Sequence, residues 1–493
     1  MYQAQRMQIH TEHHTGCLCL LHHHWEGASS LRVVVKKQVN PLLNSGLPVA
    51  SDQYPVLTKA YYENRFQRAR DAMGDLDCLV IYADREHFSN VEYFTGFDPR
   101  FEEALLIVPK QGEASLLVGK EGWDYAKAIK PQVRVVMYAP FSLPEQPRGS
   151  VRRLADHLKE AGVRADSRIG LVGWKYFTPE DGLNPGDTFD VPHFIVRELQ
   201  QAAPAGHIRN ATALMVSNDG GLRITLEDQD LLFSELAGTL VSRNVHRVLD
   251  SLREGVTELD ASQAFQINGL PLSIHCNLNF GQQLDYAIAS PTPHKRLEQG
   301  EVVAVGMAYR YALCHKVGYF IKDENEAPPG LDSFYSAYFR AIAAWYEAVR
   351  IGATGGSVYE AVRQVTGELT EFGINLNPGH LIHSDEWSNT PFYEGNRDVL
   401  RSGMMIQCDF SANHPQSGFS AHAEDGILLA DAETRARLAA ASPIAWQRIQ
   451  ARRAFMTEVL NIRLNEEILP TSDMPGMVFP YLGNLNTVLA FEN

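Results

Sequence analysis

The stretch Pro378-Gly379-His380-Leu381-Ile382-His383 decides the reading of this chain, together with Ser402-Gly403-Met404-Met405-Ile406-Gln407-Cys408-Asp409 and Ala423-Glu424-Asp425-Gly426-Ile427-Leu428-Leu429. On an extended strand successive side chains point to opposite faces, so His380 and Ile382 share one face and Leu381 and His383 the other. His380 is assigned to the inward face. The ionisable residues gathered here are His380, His383, Asp385, Glu386, Asp409, Glu424 and Asp425. A neutral imidazole beside a carboxylate is a competent general acid or base near neutral pH. Asp409 and Glu424, on neighbouring strands, are expected to share a proton, which raises one pKa and creates an acid. Trp387, directly after Asp385-Glu386, is read as an aromatic contact that closes the cleft over a substrate.

Upstream, the texture is helical and repeats. Leu226 to Leu252 reads as a long helix that Gly255 ends, and Glu258 to Phe265 opens another behind a Thr257 cap. Phe334 to Arg350, Gly352, Gly355-Gly356 and Ser357 to Leu369 repeat that order, and strand-like sequence follows each copy. Arg253-Glu254-Gly255-Val256-Thr257 and Arg350-Ile351-Gly352-Ala353-Thr354 are the matching turns. A duplication of roughly a hundred residues predicts two αβ halves facing each other across a shared cleft.

Before Thr225 the pattern is that of a mixed-sheet domain. Lys59 to Met73 is helical, Asp77 to Tyr82 reads as a buried strand, and Val151 to Ala161 as an amphipathic helix. Further apolar runs stand at 104–108, 114–118, 133–136 and 169–172. The domains expected are 55–215 and 220–435. Residues 436–493 read as a C-terminal helix and an extended apolar tail. Residues 1–50, rich in His around Cys17 and Cys19 but without sustained period, read as a disordered tail.

Composition bounds the function. The 493 residues, 55.0 kDa, carry 59 acidic and 44 basic side chains, a net charge of −15. At 45 % hydrophobic residues the chain has material for two or three packed cores, which excludes disorder as its main state. An acidic balance without a Lys/Arg block excludes a general nucleic-acid binder. No stretch approaches the roughly eighteen consecutive apolar residues of a membrane helix, so no membrane partner is expected. Cys17, Cys19, Cys78, Cys276, Cys314 and Cys408 are scattered, as in thiols of a reduced compartment, and the cytoplasm is the expected location.

The three opening stretches resemble the last three signature strands of the pita-bread family, which includes creatinase, prolidase, aminopeptidase P and methionine aminopeptidase. Asn90-Val91-Glu92-Tyr93-Phe94-Thr95-Gly96-Phe97 resembles the N-x-x-Y-L-T-G-F turn of the creatinase-type N-terminal domain. The resemblance implies an α/β (α+β) fold: a creatinase-like N-terminal domain, then a pita-bread domain with an internal pseudo-two-fold duplication. It also implies a homodimer. By analogy with related enzymes, His87 or Arg100 would be lent to a neighbouring subunit's cleft.

Metallopeptidases of this family hold two divalent cations with two Asp, one His and two Glu, and the cations share a water whose pKa they lower. Carried over by position, His380 matches the His, Asp409 stands where the first Glu is expected, and Glu424 matches the last Glu. The aspartates are missing. Gly306 occupies the first position, the second falls near Cys314-His315-Lys316-Val317, and no Asp or Glu occurs between Val302 and Lys322. Two cations would set up to four positive charges against about two carboxylates, with Lys316 nearby, at a cost of several kcal/mol. No metal and no other cofactor is therefore expected. The alternative is one divalent ion such as Mn or Zn on His380, Asp409 and Glu424, with His315 as a further donor. Creatinase resembles this fold and works without a metal, but the base histidine common to the family's early catalytic strand would fall near Ala289, where the substitutes are His275, Asp285 and His294.

The expected function is hydrolysis of an amide or related C–N bond in a small nitrogenous molecule or short peptide. His380 transfers protons, while Asp409 and Glu424 orient it and bind the amide or cationic end. His383, Asp385, Glu386, Trp387 and His315 contact the substrate. Two alternatives stand beside it. One is a divergent Xaa-Pro aminopeptidase with one metal. The other is a catalytically inactive pita-bread protein acting as a binding module, which a cleft plugged by Met307, Tyr309 or Tyr311 would favour.

Overall fold

The computed structural model describes residues 31–37, 40–44, 49–50, 53–281 and 288–492. Strand β1 (Val33–Lys37) pairs antiparallel with the last strand of the chain, Thr487–Phe491, with Val33 opposite Phe491. This corrects the expectation of a disordered segment through residue 50. The partner lies about 450 positions away, and Phe491 packs on Phe339 of a central helix with ring centroids 5.1 Å apart. Cys17, Cys19 and the histidines around them lie outside the described residues.

The first sheet comprises β2 (Cys78–Ala83), β3 (Ala104–Pro109), β4 (Ser115–Val118), β5 (Arg134–Met137), β6 (Arg168–Val172) and β7 (His207–Asn210). The strand order is β5-β4-β3-β2-β6-β7, with parallel pairs at β4/β5, β2/β6 and β6/β7 and antiparallel pairs between β2, β3 and β4. Every residue of β2 is buried because helices cover both faces. Leu79, Ile81 and Ala83 enter one core and Cys78, Val80 and Tyr82 the other, the period of two that a strand imposes. The Asn90–Phe97 stretch is a helix, Ser89–Thr95, rather than a simple turn; Gly96, at φ 69°, is the left-handed residue that ends it.

The second sheet is antiparallel throughout. It contains β8 (Leu272–Phe280), β9 (Val302–Tyr309), β10 (Ala312–Tyr319), β11 (His380–Leu381), β12 (Met405–Cys408), β13 (Ala412–Asn413), β14 (Ser420–Leu429) and β15 (Ile468–Pro470). The main order is β11-β12-β14-β10-β9-β8, and β13 and β15 also pair with β14. The expected repeat is present. Helices Asp228–Asp250 and Glu258–Ser262 precede β8, and Leu331–Ala348 and Gly355–Thr366 precede β11. Thr257 and Thr354 cap the second helix of each copy through their side chains. Leu297 accepts from Gly255 and donates to Val256, as Leu400 accepts from Gly352 and donates to Ala353.

Chain beyond residue 435 is built into this domain: β15 extends its sheet past that expected boundary, and β16 (Thr487–Phe491) covers its helix side. Arg448 and Arg452 bind Glu235 of the long helix, and Arg452 also binds Asp473, all fully buried. Ion pairs join the two domains. Arg65 reaches Asp230 at 2.5 Å and Glu227 at 3.2 Å, Arg310 reaches Asp98 at 2.6 Å and Glu92 at 3.2 Å, and Arg223 donates to both Asn90 and Asp385. Among the described residues, no helix is long and apolar enough to cross a membrane.

Candidate active site

Strand register assembles the site. β11 sets His380 opposite Gln407, β12 leads into Asp409, and β10 and β14 set His315 opposite Glu424. On its other side His315 stands opposite Gly306 of β9. The buried helix Leu331–Ala348 fixes these strand ends. Tyr338 donates to the Phe410 carbonyl at 2.8 Å and accepts from the Ala423 N–H at 3.0 Å, beside Asp409 and Glu424. Trp345 donates to the Pro378 carbonyl at 2.6 Å, at the entry to the His380 strand.

His380 is fully enclosed. Its Nε2 lies 3.4 Å from Glu386 Oε1, 3.5 Å from Asp409 Oδ2 and 3.5 Å from Glu424 Oε1. It meets none of them at hydrogen-bonding geometry, and Glu424 Oε1 also lacks a hydrogen-bond partner. Beneath it the Trp387 ring stacks, 4.3 Å between centroids and 15° between planes. Beside it runs a second chain of groups: Asp409 Oδ1 accepts from His422 Nε2 at 2.6 Å, and His422 Nδ1 lies 2.7 Å from His315 Nδ1.

The charges are mutually dependent. Burial works against a charge on His380, but the carboxylates of Glu424, Glu386 and Asp409 outweigh it and raise the imidazole to about 9. Burial, reinforced by the charge of Asp409, holds Glu424 well above the usual carboxylate range. Burial likewise raises Glu386. Asp409 goes the other way: burial opposes its ionisation, yet its hydrogen bond to His422 and the imidazoles around it hold it down.

His315, Glu386, Asp409, His422 and Glu424 line a cavity of about 920 Å³ between the domains, with Arg85, Phe88, Asp98 and Arg100 contributed by the first domain. Arg100 thus faces the cavity of its own chain, while His87 pairs with Asp84 and packs on Trp174. His275 lines the cavity, its Nε2 3.0 Å from the Ile288 carbonyl, whereas His294 is exposed elsewhere. Asp285 lies outside the described residues.

Several expected contacts are placed away from the cavity. His383 is buried between Tyr93 and Tyr311, with centroids 5.8 Å and 4.8 Å away, where burial and Arg223 hold it neutral. Asp385 pairs with Arg223 at the domain junction. Trp387 supports His380 from beneath and does not line the cavity. Asp425 and Lys316 pair at 2.5 Å on the opposite face of β14 and β10, so Lys316 is not beside the imidazole cluster. Met307, Tyr309 and Tyr311 pack into cores and leave the cavity open. His422 was absent from the expected set. Its signal was available, since it precedes Glu424 by two positions and therefore shares its face.

The donor set suits one cation. Ligand atoms of His380, Asp409 and Glu424 all lie within 4.8 Å of one another. Donors about 2.1 Å from a tetrahedral ion stand about 3.4 Å apart, the spacing seen from His380 Nε2 to each of its three carboxylates. Two buried polar atoms without hydrogen bonds, His380 Nε2 and Glu424 Oε1, face the same space.

Residues 235–431 match the metallopeptidase family M24, and residues 65–179 match the creatinase/prolidase N-terminal domain. No curated protein matches the sequence. Solved structures share the fold. The prolidase from Pyrococcus horikoshii OT3 is 16 % identical over 74 % of this chain and 95 % of its own, with a TM-score of 0.57. The Xaa-Pro dipeptidase from Bacillus anthracis is 15 % identical over 76 % and 96 %, with a TM-score of 0.58. The recombinant prolidase from Thermococcus sibiricus is 16 % identical over 75 % and 95 %, with a TM-score of 0.60.

Proposed function

We propose that this chain, which carries both domains of the pita-bread creatinase/prolidase family, hydrolyses an amide or related C–N bond of a short peptide or small nitrogenous molecule. The observation that carries the reading is a buried imidazole ringed by three carboxylates beside an open cavity that both domains line. A cavity of this size takes a small ligand. That Met307, Tyr309 and Tyr311 leave it open supports an enzyme over a binding module.

Roles follow from reach. The Glu386 side chain is 28 % exposed, against 4 % for Glu424 and none for His380. Proton transfer to a substrate therefore falls to Glu386 rather than to His380, the residue favoured by sequence. Glu386 takes a proton from the attacking water and returns it to the departing nitrogen, so the carboxylate is regenerated. Asp409, fixed by His422, and Glu424 hold His380 and the amide end in place. One divalent cation held by His380, Asp409 and Glu424 would supply Lewis-acid activation of that water. Arg100 at the rim offers a guanidinium to the anionic end of a short peptide. The described cysteines form no disulfide, which fits a reduced, cytoplasmic setting.

The test is turnover by the purified full chain on Xaa-Pro dipeptides, other dipeptides and small amides, with Zn or Mn added and with chelator. Release of an amine from at least one is expected. No release from any, by a protein that binds those compounds, would leave the binding-module reading in its place.

A further inference from the structure

We propose that the His315–His422 imidazole pair fills the place of a second cation, so that this pocket seats a single divalent ion, on His380, Asp409 and Glu424. The inference deepens the hydrolase reading and rests on it only for the pocket's use.

Shape is the first argument. β9 and β10 pair so that Gly306 faces His315, and the imidazole lies over the glycine. A Cβ at position 306 would overlap His315 Cδ2 and sit 3.1 Å from its Cγ and 3.3 Å from its Nε2. No ligating side chain fits at 306 while that ring is there. The positions of β10 that face the cavity are Leu313, His315 and Val317, none of them a carboxylate.

Hydrogen bonding is the second. Two Nδ1 atoms 2.7 Å apart attract only when one proton lies between them, because two lone pairs or two N–H groups would repel. The rings are therefore bound to each other by their Nδ1 atoms. His422 spends its other nitrogen on Asp409 Oδ1 at 2.6 Å. Asp409 has only Oδ2 left, and that oxygen is the one turned toward His380.

The first position, by contrast, keeps its donors. His380 Nε2 and Glu424 Oε1 are buried, lack hydrogen bonds and face one another at 3.5 Å, and Asp409 Oδ2 lies 3.5 Å from the same nitrogen. One nitrogen with carboxylate oxygens suits Zn, Mn or Co.

The experiment is metal stoichiometry on the full chain. Protein stripped with chelator is equilibrated with Mn or Zn, and bound metal is read by elemental analysis and by calorimetric titration, without substrate. One equivalent per chain is expected, lost in His380→Ala and kept in His315→Ala. Two equivalents in the wild type, one of them lost in His315→Ala, would make the imidazoles ligands and overturn the proposal; no bound metal would overturn it as well. Gly306→Asp/His315→Ala/Val317→Asp, which rebuilds two carboxylates where the ring lay, is expected to gain a second equivalent. If that variant does not fold, the wild-type count decides alone. One equivalent without turnover of any amide would sink the hydrolase reading and leave this one standing.

Discussion

Gly306 and His315 show how a single missing side chain shapes a site. A methyl group at 306 would collide with an imidazole that His422 holds from the other side, and the ring has little freedom to retreat. Overpacking of this kind destabilises by about 1–3 kcal/mol. Gly306→Ala should therefore lower the urea midpoint, and adding His315→Ala should recover much of the loss. A double-mutant cycle on the four proteins checks this: a coupling within error of zero would mean that the ring does not lie over the glycine.

At the level of the strand, β10 and β14 sort their charges by face. His315, His422 and Glu424 point to the cavity, while Lys316 and Asp425 pair in the core behind it, where Ser472 and the Gly476 N–H also donate to Asp425. Removing one member of a buried pair typically costs about 3–5 kcal/mol. Asp425→Ala should be destabilised on that scale in chemical denaturation, far more than a surface Asp→Ala control. Equal effects would show that the pair is not buried as described. This alternation also marks what was legible beforehand. The strands around His380, Asp409 and Glu424 were readable because short apolar runs carry their polar residues at fixed offsets, and the repeated Thr-capped helices because local caps are written locally. His422 was overlooked although it stands two residues before Glu424. The seating of His315 over Gly306 was not readable, because it depends on register between β9 and β10. The pairing of Val33–Lys37 with Thr487–Phe491 was hidden for the same reason, its partner being at the far end of the chain.

For the whole molecule, the cavity exists only while the two domains stay together, and buried ion pairs of Arg65 and Arg310 and the Arg223–Asn90 hydrogen bond hold that junction. His383 lies in the same junction, kept neutral by burial and by Arg223. A histidine whose folded proton affinity is depressed binds a proton more readily in the unfolded chain, so its contribution is intact above its unfolded pKa of about 6.5 and is lost as the pH falls below it. His157 and His246 are also lowered by burial and act in the same direction. His380, raised to about 9 by its carboxylates, works in the opposite direction in both proteins, so the comparison is the test: between about pH 7.5 and about pH 5.5 the urea midpoint should change less favourably in the wild type than in His383→Gln. A slope identical in the two proteins would show that His383 is not held neutral.

The proposed amide hydrolysis sits at the cavity face of the imidazole–carboxylate cluster, with Glu386 as the group that reaches the substrate. The most direct measurement is steady-state turnover of the best amide substrate by Glu386→Gln, beside its melting curve. The substitution preserves shape and removes the proton carrier together with its charge beside His380. A fall in kcat of about 10²- to 10⁴-fold is expected while the melting curve still shows a folded protein; a kcat equal to the wild type would mean that Glu386 carries no proton in the reaction.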